Sequence, residues 1–160
     1  MAIIDSSALI ALGSIGKLEI IKKSLENITI TEQVYAEATA KSESNEAISV
    51  KKAVEDVKWI KVQKSNEINQ NLGIGEASSI SLAYELKQPL ITDDKKAAFI
   101  ASTLGIECHG TIYLILLALK KKILKNNSEA IAILNELIAS RKLYLSSEVI
   151  AEFYYLLNQK

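Results

Sequence analysis

Two stretches of the same form frame this chain: Ala2-Ile3-Ile4-Asp5-Ser6-Ser7 and Pro89-Leu90-Ile91-Thr92-Asp93-Asp94. Each is a short apolar run that stops on a carboxylate. Such a run, without polar alternation, suits a strand buried on both faces, as in a parallel sheet. A helix is expected after each. Ser6 and Ser7 are placed to cap one, with Leu9, Ile10 and Leu12 on its apolar side, and residues 94–104 read as another. Strands alternating with helices imply a parallel α/β sheet. In such sheets the functional crevice lies beyond the C-terminal strand ends, so Asp5 and the Asp93-Asp94 pair belong on one edge.

The rest of the chain fits that frame. Residues 28–30, 59–62 and 106–108 read as further strands. Helices are expected at 17–25, from an N-cap at Thr31 through Val34 and Glu37 to about 41, at 45–57, and at 75–86 after a Gly-x-Gly turn. Beyond Gly110 only helices are expected, at 112–119, 129–138 and 146–157, packing on the same sheet. The expected fold is Rossmann-like: a central parallel sheet flanked by helices with a helical C-terminal region, one domain over residues 1–160.

Composition narrows the function classes. At 160 residues and 49% apolar the chain can bury a sizeable core. Lys+Arg and Asp+Glu number 19 each, so no global positive field draws in nucleic acid, and such contact needs a local basic patch or a bound metal. Cys108 is the single cysteine, which excludes an internal disulfide, and no Cys/His cluster suggests zinc. A reducing, cytoplasmic setting is expected. The longest apolar run, residues 112–119, is far short of the roughly 20 needed to span a bilayer, and the N-terminus starts directly with a strand and no leader-like segment. A soluble protein away from membranes is expected.

Two further acids join the pair of strand ends: Glu37 in Val34-Tyr35-Ala36-Glu37 and Glu76 in Gly73-Ile74-Gly75-Glu76-Ala77. Each station has a plain reading. Asp5 and Asp93-Asp94 could cap helices, Glu76 could favour the dipole of a first turn, and Glu37 could be solvated, although it shares with Val34, Ala38 and Lys41 a helix side that could face the sheet. Taken together, carboxylates drawn to one site repel unless something positive sits between them, and the usual cation is a hard divalent metal. That points to a Mg²⁺- or Mn²⁺-dependent phosphodiester hydrolase. Lys95 and Lys96 follow the acidic pair and could meet phosphates, whereas Lys120, Lys121 and Lys122 read as cations at a helix end. Tyr113, Tyr144, Tyr154 and Tyr155 read as core or subunit interface, with base stacking as the alternative. Trp59 and Cys108 read as core, and His109 as structural.

The ordered set of motifs resembles the PIN-domain nucleases, and within them the group close to the VapC toxins of toxin–antitoxin pairs. The pieces are Ile4-Asp5-Ser6-Ser7-Ala8-Leu9, Val34-Tyr35-Ala36-Glu37, Gly75-Glu76-Ala77, Leu90-Ile91-Thr92-Asp93-Asp94-Lys95 and His109-Gly110-Thr111. The resemblance implies bound Mg²⁺ or Mn²⁺, single-stranded RNA as substrate, a homodimer and an antitoxin protein that blocks the acidic groove. Asp5, Glu37, Glu76 and Asp94 match the acidic quartet, and Asp93 could supply a ligand in place of Asp94. Ser7 and Thr92 match small hydroxyl positions that bond to the carboxylates or to a phosphate, and Lys95 lies beside them. Glu76 departs from the more frequent aspartate. The implied chemistry is metal-assisted hydrolysis by an endoribonuclease, with Asp5 and Asp94 as inner ligands and Glu37 and Glu76 as ligands or orienters of water. Ile10, Leu12 and the helix from Lys17 could form the dimer or antitoxin surface. The rivals are an RNA-processing nuclease outside a toxin pair and a catalytically silent binding module. A receiver domain or aspartyl-phosphate phosphatase fits poorly, because the acidic pair comes late and position 7 is Ser.

Overall fold

Parallel pairing organises the molecule. A computed structural model describes residues 1–65 and 72–159. Among them five strands, β1 (Ala2–Ile4), β2 (Ile28–Thr31), β3 (Ile60–Gln63), β4 (Leu90–Ile91) and β5 (Cys108–His109), form one sheet in the order β3-β2-β1-β4-β5. Every neighbouring pair is parallel. The chain runs outward from β1 to β3 and then returns to the other side of β1 to place β4. The switch point of this doubly wound sheet therefore falls between β1 and β4, where ligand crevices form outside the carboxyl ends. The register pairs Ile3 with Leu90 and Ile4 with Ile91. Backbone bonds continue it, Asp5 N–H to Ile91 O at 3.0 Å and Thr92 N–H to His109 O at 2.8 Å.

Both sheet faces are covered. Successive strand residues point to opposite faces, and the core divides accordingly. Ala2, Ile4 and Ile91 join Leu9, Ile21, Ile30, Leu114, Leu134 and Phe153 in one cluster. Ile3 and Leu90 join Ile80, Leu82, Ala97 and Ala101 in the other. The C-terminal helices thus share the core of β1 and β2. The helices are α1 (Ser6–Ser14), α2 (Glu19–Ser24), α3 (Glu32–Thr39), α4 (Asn45–Lys51), α5 (Ile74–Leu86), α6 (Lys95–Thr103), α7 (Thr111–Lys120), α8 (Asn127–Ser140) and α9 (Ser147–Leu157). None among the described residues is long and apolar enough to cross a membrane.

Several details depart from the sequence reading. The cap of α1 is Asp5 itself, whose side chain accepts from Ser7 N–H, so Ser6 and Ser7 are the first helical residues. The helix expected over 45–57 continues α4 as a π-helical turn, Lys52–Asp56. Leu12 is fully buried, whereas Ile10 is half-buried and packs against the core. Tyr113, Tyr144, Tyr154 and Tyr155 are all exposed rather than in the core. Trp59 is half-buried, with Lys22 Nζ 5.9 Å from its ring centre. Cys108 is half-buried, and burial, with Glu107 adding, pushes its thiol up.

Candidate active site

Asp5 ends β1 at the switch point and is 2% exposed. Its Oδ1 accepts from Ser7 N–H at 2.9 Å and from Ser7 Oγ–H at 2.5 Å. Its Oδ2 accepts from the Thr92 hydroxyl, itself buried at the end of β4. Burial pushes the carboxyl up to about 7; the Ser7 and Thr92 bonds oppose the shift and the charge of Asp93 adds to it. Among the described residues no Lys, Arg or His forms an ion pair with it. Ser7 and Thr92, picked out as small hydroxyls, are both aimed at Asp5 rather than into solvent.

Asp93 is tied to a different element. Its Oδ1 accepts from Thr111 N–H at 2.8 Å and its Oδ2 from Thr111 Oγ–H at 2.6 Å. The carboxylate thereby satisfies the first N–H of α7, one of the N-terminal N–H groups that lack helical partners. Gly110 makes room for this: a side-chain carbon there would lie 2.7 Å from Asp93 Oδ1. The Asp93 N–H also donates to Ser7 Oγ at 3.1 Å, which links the Asp5 carboxylate to the Asp93 backbone through one hydroxyl. Burial raises the Asp93 carboxyl too, against the Thr111 and Ser7 bonds. Sequence reasoning quoted Thr111 and Gly110 only within a motif. Their signal was a glycine and a threonine opening a helix with no acidic cap of its own.

The remaining acids are more open. Asp94 is exposed and caps α6, accepting from Ala97 N–H at 2.6 Å, while its own N–H donates to Thr92 Oγ at 3.2 Å. Glu37, on α3, is exposed, and its carboxylate rests on the first turn of α5. A side-chain carbon at Gly75 would lie 2.5 Å from its Oε2. Glu76 folds back against Gly73, the N-cap of α5, in the position of a capping-box acid. A buried bond, Thr31 Oγ to Ser78 Oγ at 2.8 Å, fastens the start of α3 to α5. Lys95 is exposed in the first turn of α6.

The five predicted acids thus form two sets, Asp5–Asp93–Asp94 around Ser7 and Thr92, and Glu37–Glu76 where α3 meets α5. Among the described residues no three metal-ligating side chains converge on one point. The donor chemistry nevertheless fits a hard cation. Asp5 and Asp93 are oxygen donors that burial holds toward the neutral form, with the charge of Asp93 adding to the effect on Asp5, and a divalent ion nearby would favour the ionised form of both. Mg²⁺ keeps several of its own waters and is often held by one or two carboxylates, so a sparse set suffices.

Residues 1–159 match the family model described as DUF3368, PIN domain. The chain belongs to the PIN-domain family. PIN domains are generally nucleases, and such nucleases generally use divalent metals. A solved structure, a PilT N-terminus domain protein SSO1118 from the hyperthermophilic archaeon Sulfolobus solfataricus P2, is similar. Its identity is 22% over 71% of this chain and 88% of that chain, at a TM-score of 0.49. No match is found among curated proteins. In this PIN domain the motif acids occupy the carboxyl edge of the sheet and the two helices beside it.

Proposed function

We propose that this protein is a Mg²⁺- or Mn²⁺-dependent endoribonuclease that hydrolyses phosphodiester bonds of single-stranded RNA as one PIN-like domain, and that it is the toxin of a VapBC-type pair. The observation that carries the reading is Asp5: a buried carboxyl at the switch point whose ionised form is disfavoured by burial and by the charge of Asp93 beside it. Membership of a nuclease family supports it.

Asp5 and Asp94 would hold the metal, with Asp93 as the alternative to Asp94. Asp94 is open to solvent, whereas both Asp93 oxygens are engaged by Thr111. When bound, the metal supplies a water of lowered pKa and offsets charge on the phosphate. Ser7 and Thr92 hold the Asp5 oxygens in place for it. Thr111 fixes Asp93, whose negative charge favours a cation nearby. Glu37 and Glu76 would ligate the metal or orient the attacking water as acceptors, and Lys95 would meet the phosphate next to the scissile bond. A cytoplasmic setting, a homodimer and a cognate antitoxin belong to the same reading, and the exposed Tyr154 and Tyr155 of α9 support a subunit contact.

The test is cleavage of labelled single-stranded RNA with Mg²⁺, Mn²⁺ or EDTA, with Asp5→Asn in parallel. Cutting that needs metal and disappears in Asp5→Asn is expected. Folded protein that binds RNA and never cuts it would replace this reading with a silent binding module. Cutting by a protein whose neighbouring gene encodes no antitoxin would move it to RNA processing.

A further inference from the structure

A groove of about 330 Å³ opens directly beside the acidic edge, between the start of α6, the end of β5, α7 and α9. One end is lined by Asp93, Asp94 and Lys95. Farther along, the His109 and Tyr113 rings are stacked with centroids 3.8 Å apart and planes 12° from parallel. Both rings line the groove, and Tyr113 is 36% exposed. A two-ring stack uses one face of each ring, which leaves an outer face for a third flat ring. Tyr144, 88% exposed on the α8–α9 connection, lines the same groove. So large an exposed aromatic surface is costly in water and suits a stacking partner.

We propose that this groove is a stacking site for one unpaired nucleobase, that of the nucleotide next to the phosphate at the acidic edge. The inference rests on the nucleic-acid reading above and adds the residues that would hold the substrate. Charge decides which part of a nucleotide enters. Asp93, Asp94 and Lys95 line the end at the acidic edge, where the phosphate would sit, and Glu152 is the one further Asp, Glu, Lys or Arg in the lining, so away from that end an uncharged ring is favoured over a phosphate. The apolar lining, Ile112, Leu116 and Val149 among it, suits a base's flat faces. The volume lies at the small end of ligand sites, about 300–1,000 Å³, and fits a single ring system better than a longer segment. Stacking on aromatic side chains tolerates any base, so this site fixes the strand's position more than its sequence.

The test uses single-stranded RNA carrying one 2-aminopurine, whose fluorescence falls on stacking, mixed with the full chain in EDTA, where a metal-dependent enzyme does not turn over, and again with Mg²⁺. The wild type is expected to quench the probe. Tyr113→Ala and Tyr144→Ala should each weaken binding by between about fivefold and about a hundredfold, the range for losing one stacked base. Tyr113→Phe should retain it. Tyr144→Ala removes a solvent-exposed ring and leaves the fold intact, so its result stands even if Tyr113→Ala is unstable. Quenching without any RNA cleavage keeps the stacking site and removes the nuclease. Metal-dependent cleavage with no quenching, or with KM unchanged in both alanine variants, overturns the stacking site and keeps the nuclease. No quenching by any oligonucleotide also overturns it, and would leave the groove to an apolar peptide segment.

Discussion

Asp5 and Asp93 are carboxylates at the ends of buried strands with every oxygen already bonded, whereas Glu37 and Glu76 sit at the meeting of two helices, leaning on glycines. In the first set, hydroxyls from Ser7, Thr92 and Thr111 fix the side chains before any ligand arrives, and burial keeps both carboxyls from ionising readily. In the second set, the long side chains rest against Gly75 and Gly73, and Glu37 is exposed. The difference teaches a division of labour. One half of the site is fixed by side-chain hydroxyls at the sheet edge, and the other rests on the first turn of one helix.

The largest test of that division is catalytic. Asp5→Asn should lower RNA cleavage by more than about 100-fold, beyond what loss of an outer-shell partner usually costs, and Glu76→Gln by about tenfold or less. Equal losses, measured as kcat with Mg²⁺, would break the comparison. Stability against pH comes next. The folded Asp5 carboxyl sits near 7 against an unfolded value of 3.8, so the folded state holds the proton longer. Metal-free protein should therefore lose stability as pH rises from about 4 to about 7, by up to about 4 kcal/mol, and stay lower above that. Asp93 acts in the same direction. Urea midpoints in EDTA should show the decline, Asp5→Asn should flatten it, and Mg²⁺ at pH 8 should restore part of it.

Gly110→Ala sharpens the comparison at one atom. Its new methyl meets Asp93 Oδ1 at 2.7 Å, so the cap of α7 must shift, at about 1–3 kcal/mol by chemical denaturation. No change in either stability or cleavage would show that Asp93 is not held as firmly as its bonds suggest. Thr111→Val has the smallest expected effect. It deletes the hydroxyl donor and keeps the N–H, which should cost about 1 kcal/mol, and Thr111→Ser should return to the wild-type midpoint.

How much of this was readable in the chain follows from the range of each interaction. Asp5, Thr31 and Asp94 as caps, and the strands at residues 2–4, 28–31 and 60–63, depend on neighbours a few positions away. The partner of Asp93 does not: Thr111 lies 18 residues on, and only pairing of β4 with β5 brings it close. Helix ends were hidden for another reason. Left-handed residues usually announce themselves as glycine, but here Lys58, Lys87, Lys122 and Arg141 adopt that conformation. The core reading of the tyrosines failed, and their exposure leaves the subunit-interface reading open, because an aromatic in the sequence carries no mark of which face meets solvent.

The sequence by itself determined the alternation of apolar runs and helices, the strand-end position of Asp5 and of Asp93-Asp94, and the ordered motifs of the PIN-domain family, because period, caps and motif order are properties of neighbouring residues. Only the tertiary structure decided that β4 returns beside β1, that Ser7 and Thr92 spend their hydroxyls on Asp5, that Asp93 serves α7, and that His109 and Tyr113 stack at the rim of a groove. Those facts are pairings between residues far apart in the chain, settled when the two faces of one sheet are buried together.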